Sequence, residues 1–138
     1  MKISNMEKIT GRIIYAGNAR GTILKSDLPI SFFGAVDQQT GMIKEKNHVL
    51  FSQSVAGKIL VFPHAKGSTV GSYILYALKK NNVAPAGMIL EDCETIVAVG
   101  AIISEIPTVD QVSIDQFQTG DVVQIDRGEI IFEEKSHR

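Results

Sequence analysis

The chain has 138 residues and 44% apolar content, enough for one domain with one core. Its formal net charge is −1 and its pI about 6.3, with basic residues scattered, which excludes the charge signature of a nucleic-acid binder. No stretch approaches the roughly 20 apolar residues of a membrane span, and the N-terminus lacks a signal peptide's hydrophobic core, so a soluble cytoplasmic protein is expected.

Residues 1–10 read as a loose leader. Residues 12–16 (RIIYA) and 21–25 (GTILK) read as two short strands around Gly17-Asn18-Ala19-Arg20, a turn signal. Ser26-Asp27-Leu28-Pro29 breaks the pattern. Residues 30–48 form a long polar segment with Gly34, Gly41 and an exposed-looking Phe32-Phe33 pair. Segments of this length without regular structure are usually functional or mobile. A strand at 58–62 stops at Pro63, and a polar loop, His64-Ala65-Lys66-Gly67-Ser68-Thr69, follows. The spacing then predicts an amphipathic helix over about 69–81. Lys79-Lys80 suit the negative end of its dipole, and Asn81-Asn82 with Pro85 end it. Residues 87–90 read as a strand. Residues 95–103 fit either a strand or a helix. A helix near 96–104 is favoured, because 106–109 then supplies the next strand. Residues 121–125 and 129–133 flank Asp126-Arg127-Gly128 as a hairpin, and 134–138 are a charged tail. The expected fold is a single β-rich α/β domain over 11–133, with strands at both ends and helices in the middle.

The junction at 57–73, GKILVFPHAKGSTVGSY, carries the most chemistry. Strand, Gly/Ser loop and helix start follow one another, which aims free backbone N–H groups and two hydroxyls at one small volume. An α/β protein commonly places an anionic ligand or a catalytic hydroxyl there. It is not a phosphate-binding P-loop, because Lys66 precedes Gly67 and the upstream Gly is absent. It is not a nucleophile elbow, which needs Gly at 66 and 70. The plain alternative is a Ser/Thr helix cap with Gly supplying the turn. Cys93 is the single cysteine and sits in Glu91-Asp92-Cys93-Glu94. Neighbouring negative charge disfavours its thiolate, so an inert thiol is expected. His48, His64 and His137 are dispersed and do not show metal-ligand spacing; His48 reads as a loop residue.

Over most of its length the chain resembles the small subunit of the aconitase X family. The matching stretches are Ser26-Asp27 with 29–32 (PISF), Gly34-Ala35-Val36-Asp37 with Thr40-Gly41, and 54–58 (SVAGK). They continue with 61–63 (VFP), 66–73 (KGSTVGSY), 82–85 (NVAP), 98–101 (AVGA), Ile106-Pro107 and 119–121 (TGD). One departure is visible. The family carries two glycines before the hydrophobic-Asp pair, whereas Ala35 follows Gly34 here. Alanine is a mild change unless position 35 needs a positive φ.

The resemblance implies a swivelling β/β/α domain, the aconitase-type swivel, that docks on a large subunit to form a heterodimer or larger assembly. It implies a hydro-lyase whose iron–sulfur cluster, of the 4Fe-4S type, is held by that large subunit and not by this chain. Free-standing archaeal small subunits of the family imply dehydration of (R)-5-phosphomevalonate to trans-anhydromevalonate 5-phosphate, in a modified mevalonate pathway of isoprene biosynthesis. Bacterial relatives imply cis-3-hydroxy-L-proline instead. A non-catalytic interaction module of the same fold is the other reading. In the resemblance, the base that takes the proton next to the carboxylate is Ser68. A hydroxyl is a poor base unless assisted, and a helix N-terminus with Lys66 nearby would assist it. Lys66, Gly67 and Thr69 are candidate substrate contacts. Ser72, one helical turn after Ser68, either faces the same cleft or is an ordinary helix-surface serine. Ser31 and Asp37 either bind substrate or form turns. Phe32-Phe33 is a candidate partner patch.

Overall fold

Two short apolar runs and a third buried strand lie side by side in the sheet. The computed structural model, which describes residues 7–66 and 70–136, sets Ile59–Phe62, Gly87–Leu90 and Thr108–Asp110 side by side as parallel strands, buried along their length. Strands covered on both faces read as continuous apolar runs rather than as alternation. Each fully buried Ile, Leu, Val or Phe in them contributes roughly 1.5–3 kcal/mol.

In chain order the strands are β1 (Lys8–Thr10), β2 (Arg12–Tyr15), β3 (Asn18–Lys25), β4 (Ile59–Phe62), β5 (Gly87–Leu90), β6 (Thr108–Asp110), β7 (Val122–Asp126) and β8 (Glu129–Glu134). The helices are a kinked turn α1 (Phe32–Ala35), α2 (Gly71–Lys80) and α3 (Thr95–Ile103). The strand order is β1-β8-β7-β3-β4-β5-β6-β2. Strand β3 joins two layers. Asn18 to Thr22 run antiparallel to β7, and Ile23 to Lys25 run parallel to β4. Alternate residues of β4 therefore face different cores. Ile59 and Val61 pack with Val123, Ile125, Ile130 and Phe132 between the strand layers. Leu60 and Phe62 pack with Ile74, Leu75, Leu78, Val97 and Ala101 of the helices. This is the expected β/β/α layering. The α3 helix resolves the ambiguous 95–103 run in favour of a helix, and β6 follows it. Arg127 (φ 49°) and Gly128 (φ 84°) close the β7–β8 hairpin, and two successive positive φ values match the strands' twist.

Several local expectations give way to long-range pairing. Asn18-Ala19-Arg20 are not a turn but the first residues of β3, held by Asp126, Ile125 and Gln124 of β7. β2 does not pair with β3; it crosses to the far edge and runs antiparallel to β6. Lys8–Thr10, read as part of a leader, pair with β8. Lys135, read as tail, bonds Glu7 at 2.6 Å.

The 30–48 segment is not a polar loop in space. Ile30, Phe32, Ala35, Val36 and Ile43 are all buried. The Phe32-Phe33 patch is corrected accordingly: Phe32 is 2% exposed, edge-on to Phe62 at 5.8 Å, and only Phe33 faces out. Gly34 takes a φ of 93°, which glycine adopts freely, while Ala35 needs no positive φ. The alanine departure is thus accommodated. His48 is a buried loop residue. Its Nδ1 accepts from the Leu50 N–H at 3.1 Å, so Nε2 carries the hydrogen and faces the Pro29 carbonyl at 3.2 Å.

Candidate functional site

Because β4 and β5 are parallel, the helices that follow them both begin at the carboxyl ends of the strands. Open α/β sheets bind ligands at that edge. A cavity of about 150 Å³ lies there, lined among the described residues by Phe32, Ala65, Lys66, Gly71, Glu94, Ile96 and Val97. Its walls come from three separate parts of the chain.

The first wall is the exit of β4. The N–H of Ile30 donates to the His64 carbonyl at 3.3 Å, and the N–H of Lys66 donates to the Ile30 carbonyl at 3.1 Å. The exit is thereby tied to the segment that buries Phe32. His64 is exposed and its Nδ1 bonds the Ala65 carbonyl at 2.8 Å, a local contact and not a ligand set. The second wall is the start of α2. Val70 already has helical backbone (φ −66°, ψ −16°). Gly71 is buried, yet a Cβ built on it would meet no described heavy atom within 4 Å. The third wall is the 91–97 segment, where Glu94 accepts from the Ala65 N–H at 3.2 Å.

Lys66 and Gly71 both line the cavity. Gly67, Ser68 and Thr69, which connect them in sequence, lie outside the described residues. The exposed Lys66 ammonium and the positive end of the α2 dipole favour an anionic ligand.

The remaining expected residues are not among the described lining of this cavity. Ser72 is half-buried at the crossing of α2 and α3, where a Cβ on Gly100 would stand 3.0 Å from the Ser72 Cα. Ser31 donates to the Phe33 carbonyl at 2.9 Å and shapes its own turn. Asp37 accepts from the Gln39 and Thr40 N–H groups at 2.8 and 3.0 Å, which holds its carboxyl below the usual range. It lines a separate surface depression with Phe33, Lys44 and Asn81.

Cys93 is buried beside the site, and its thiol is pushed up to about 12. Burial is the main cause, with the negative charges of Asp110 and Glu94 adding to it. The sequence had suggested the charge and not the larger burial effect. Asp110 has no exposed side-chain surface and takes a two-pronged bond from Arg12 at 2.8 and 2.7 Å. It also accepts from the Cys93 N–H at 2.8 Å. Burial alone would raise the Asp110 carboxyl, but these bonds and the Arg12 charge bring it below its ordinary value. Arg12, Asp110 and Glu94 were not singled out from the sequence. No spacing signal links them, since 98 positions separate Arg12 from Asp110.

The family model of the aconitase X swivel domain matches residues 8–133. The chain is 53% identical over 119 residues to the phosphomevalonate dehydratase small subunit of Thermococcus kodakarensis, covering 86% of this chain and 90% of that one. It is 54% identical over 125 residues to the protein of the same name from Methanosarcina acetivorans, covering 88% and 87%. The crystal structure of Thermococcus kodakaraensis aconitase X in its holo-form matches with a TM-score of 0.91 at 51% identity, covering 93% of this chain and 99% of that one. No described helix is long and apolar enough to cross a membrane.

Proposed function

The chain belongs to the aconitase X swivel-domain family, and from that premise we propose that it is the small subunit of a two-chain hydro-lyase that dehydrates (R)-5-phosphomevalonate to trans-anhydromevalonate 5-phosphate. The observation that carries this reading is identity near one half to relatives named for that activity, over nearly the full length of both chains. The cavity agrees chemically. A substrate bearing a phosphate and a carboxylate suits an ammonium beside a helix N-terminus.

Removing water from a β-hydroxy acid requires loss of the proton next to the carboxylate and departure of the hydroxyl. Ser68 is assigned the proton. The cation of Lys66, two residues before it, and the dipole of α2 favour its deprotonated form. Substrate contact is assigned to Lys66, Gly67 and Thr69. Ser31 and Asp37 are engaged in their own turns. The donor set of this chain does not fit an iron–sulfur cluster, which takes several thiolates. The chain has one cysteine, and its thiol is held protonated by burial. The cluster is therefore assigned to the large subunit, and no step on this chain passes through it.

Co-expression with the large subunit, followed by anaerobic assay of phosphomevalonate and cis-3-hydroxy-L-proline, tests the reading. Turnover of phosphomevalonate is expected, and Ser68→Ala should lower it by at least about 10²-fold while the heteromer persists. Turnover of hydroxyproline alone would reassign the substrate. No turnover of either would favour a non-catalytic module.

A further inference from the structure

We propose that Glu94 is a positioning residue: its carboxylate replaces a missing strand and holds the exit of β4 at the mouth of the cavity. The inference rests on reading that cavity as the dehydration site. The β4–β5 ladder ends at the Phe62–Leu90 pair. Beyond it the chain after β5 turns away. The N–H groups of Glu91 and Asp92 both donate to the Pro63 carbonyl at 3.1 Å, and that of Cys93 goes to Asp110. On the opposite side, His64 and Lys66 bond Ile30. Successive N–H groups of extended backbone point to opposite sides. The Ala65 N–H therefore points to the side that β5 has left.

Ala65 is 8% exposed, so its N–H has little access to water and an unmade bond there would be costly. Among the described residues its acceptor is Glu94 Oε1, at 3.2 Å. A second observation is independent of this bond. Glu94 occupies the N-cap position of α3, with extended backbone (φ −68°, ψ 161°), yet its side chain makes no bond to its own helix. Short oxygen-bearing side chains cap a helix from that position, whereas glutamate is long enough to reach past it. Here the side chain reaches across to β4 instead. Ala65 and its neighbour Lys66 both line the cavity, so releasing the clamp loosens that wall where Lys66 stands.

Glu94→Ala and Glu94→Gln, made in the full-length chain, test the proposal in two ways. In the small subunit alone, amide exchange followed by NMR reads the clamp directly. Exchange at Ala65 should rise about tenfold in Glu94→Ala, and Glu94→Gln, which keeps an oxygen acceptor, should recover most of the protection. In the heteromer, kcat for phosphomevalonate should fall at least about tenfold in Glu94→Ala, with assembly retained and the melting temperature lowered by only about 3–8 °C, and Gln should again recover most of both. Unchanged Ala65 exchange in the Ala variant would overturn the clamp. Raised exchange with parental kcat would overturn the positioning role. A Gln variant as impaired as Ala in both assays would overturn the acceptor account. A parental heteromer without phosphomevalonate turnover would instead defeat the proposed function, while the exchange result would still decide the clamp.

Discussion

Replacing Gly71 by alanine should stabilise the chain and slow the enzyme. Gly71 is the first residue of α2 and is not one of the glycines with positive φ. Alanine in a helix is worth up to about 1 kcal/mol over glycine, and somewhat less in a first turn. The added methyl would meet no described atom within 4 Å, so no clash with the described residues opposes that gain. For a domain of this size, about 0.5–1 kcal/mol raises the melting temperature by roughly 1–4 °C. The same open space is part of a cavity of about 150 Å³. A methyl group there keeps a ligand away from the helix N–H groups, and a leucine occupies much of the volume. Misplacing substrate by about 1 Å can cost on the order of 10²-fold. Turnover should therefore fall about tenfold in Gly71→Ala and at least about 10²-fold in Gly71→Leu. Thermal melts of the isolated chain, and anaerobic kinetics with the large subunit, read the two effects separately. Parental turnover in Gly71→Leu would show that no part of the substrate reaches this space. A lower melting temperature in Gly71→Ala would show that the space is not open.

Phe32→Ala should cost about 3–5 kcal/mol, since the ring is fully buried against Phe62, whereas Phe33→Ala should change stability by no more than about 0.5 kcal/mol; urea unfolding of both variants checks the contrast. The carboxyls of Asp110 and Asp37 are held below their ordinary values in the folded chain. Their stabilisation is therefore present above the unfolded value near about 4 and is lost as pH falls below it. Asp110→Asn should flatten that acid slope as well as lower stability at neutral pH, which melts between pH 2 and 7 would show. Cys93 should resist iodoacetamide at pH 8 in the native chain and react on unfolding, because burial and acidic neighbours keep it a thiol; rapid native alkylation would contradict the packing around it.

The local parts of the fold were legible in the chain. Ile59-Leu60-Val61-Phe62 ending at Pro63 is a buried strand, Gly71 to Lys80 is an amphipathic helix, and Arg127-Gly128 is a hairpin turn, because each depends on neighbours within a few positions. The ordered set of short motifs placed the chain in its family. Partner choice was not local. Whether Asn18-Ala19-Arg20 turns or pairs is decided by β7, about 100 residues later, which supplies the ladder. Which ring of the Phe32-Phe33 pair enters the core is decided by the room beside Phe62. Glu94 looked like one more acidic residue next to Cys93, and its role exists only because β5 ends where Ala65 still needs an acceptor. Local propensity acts over a turn of chain, whereas a buried N–H or a buried ring is satisfied by whatever the fold brings to it, and that is settled only when the layers close.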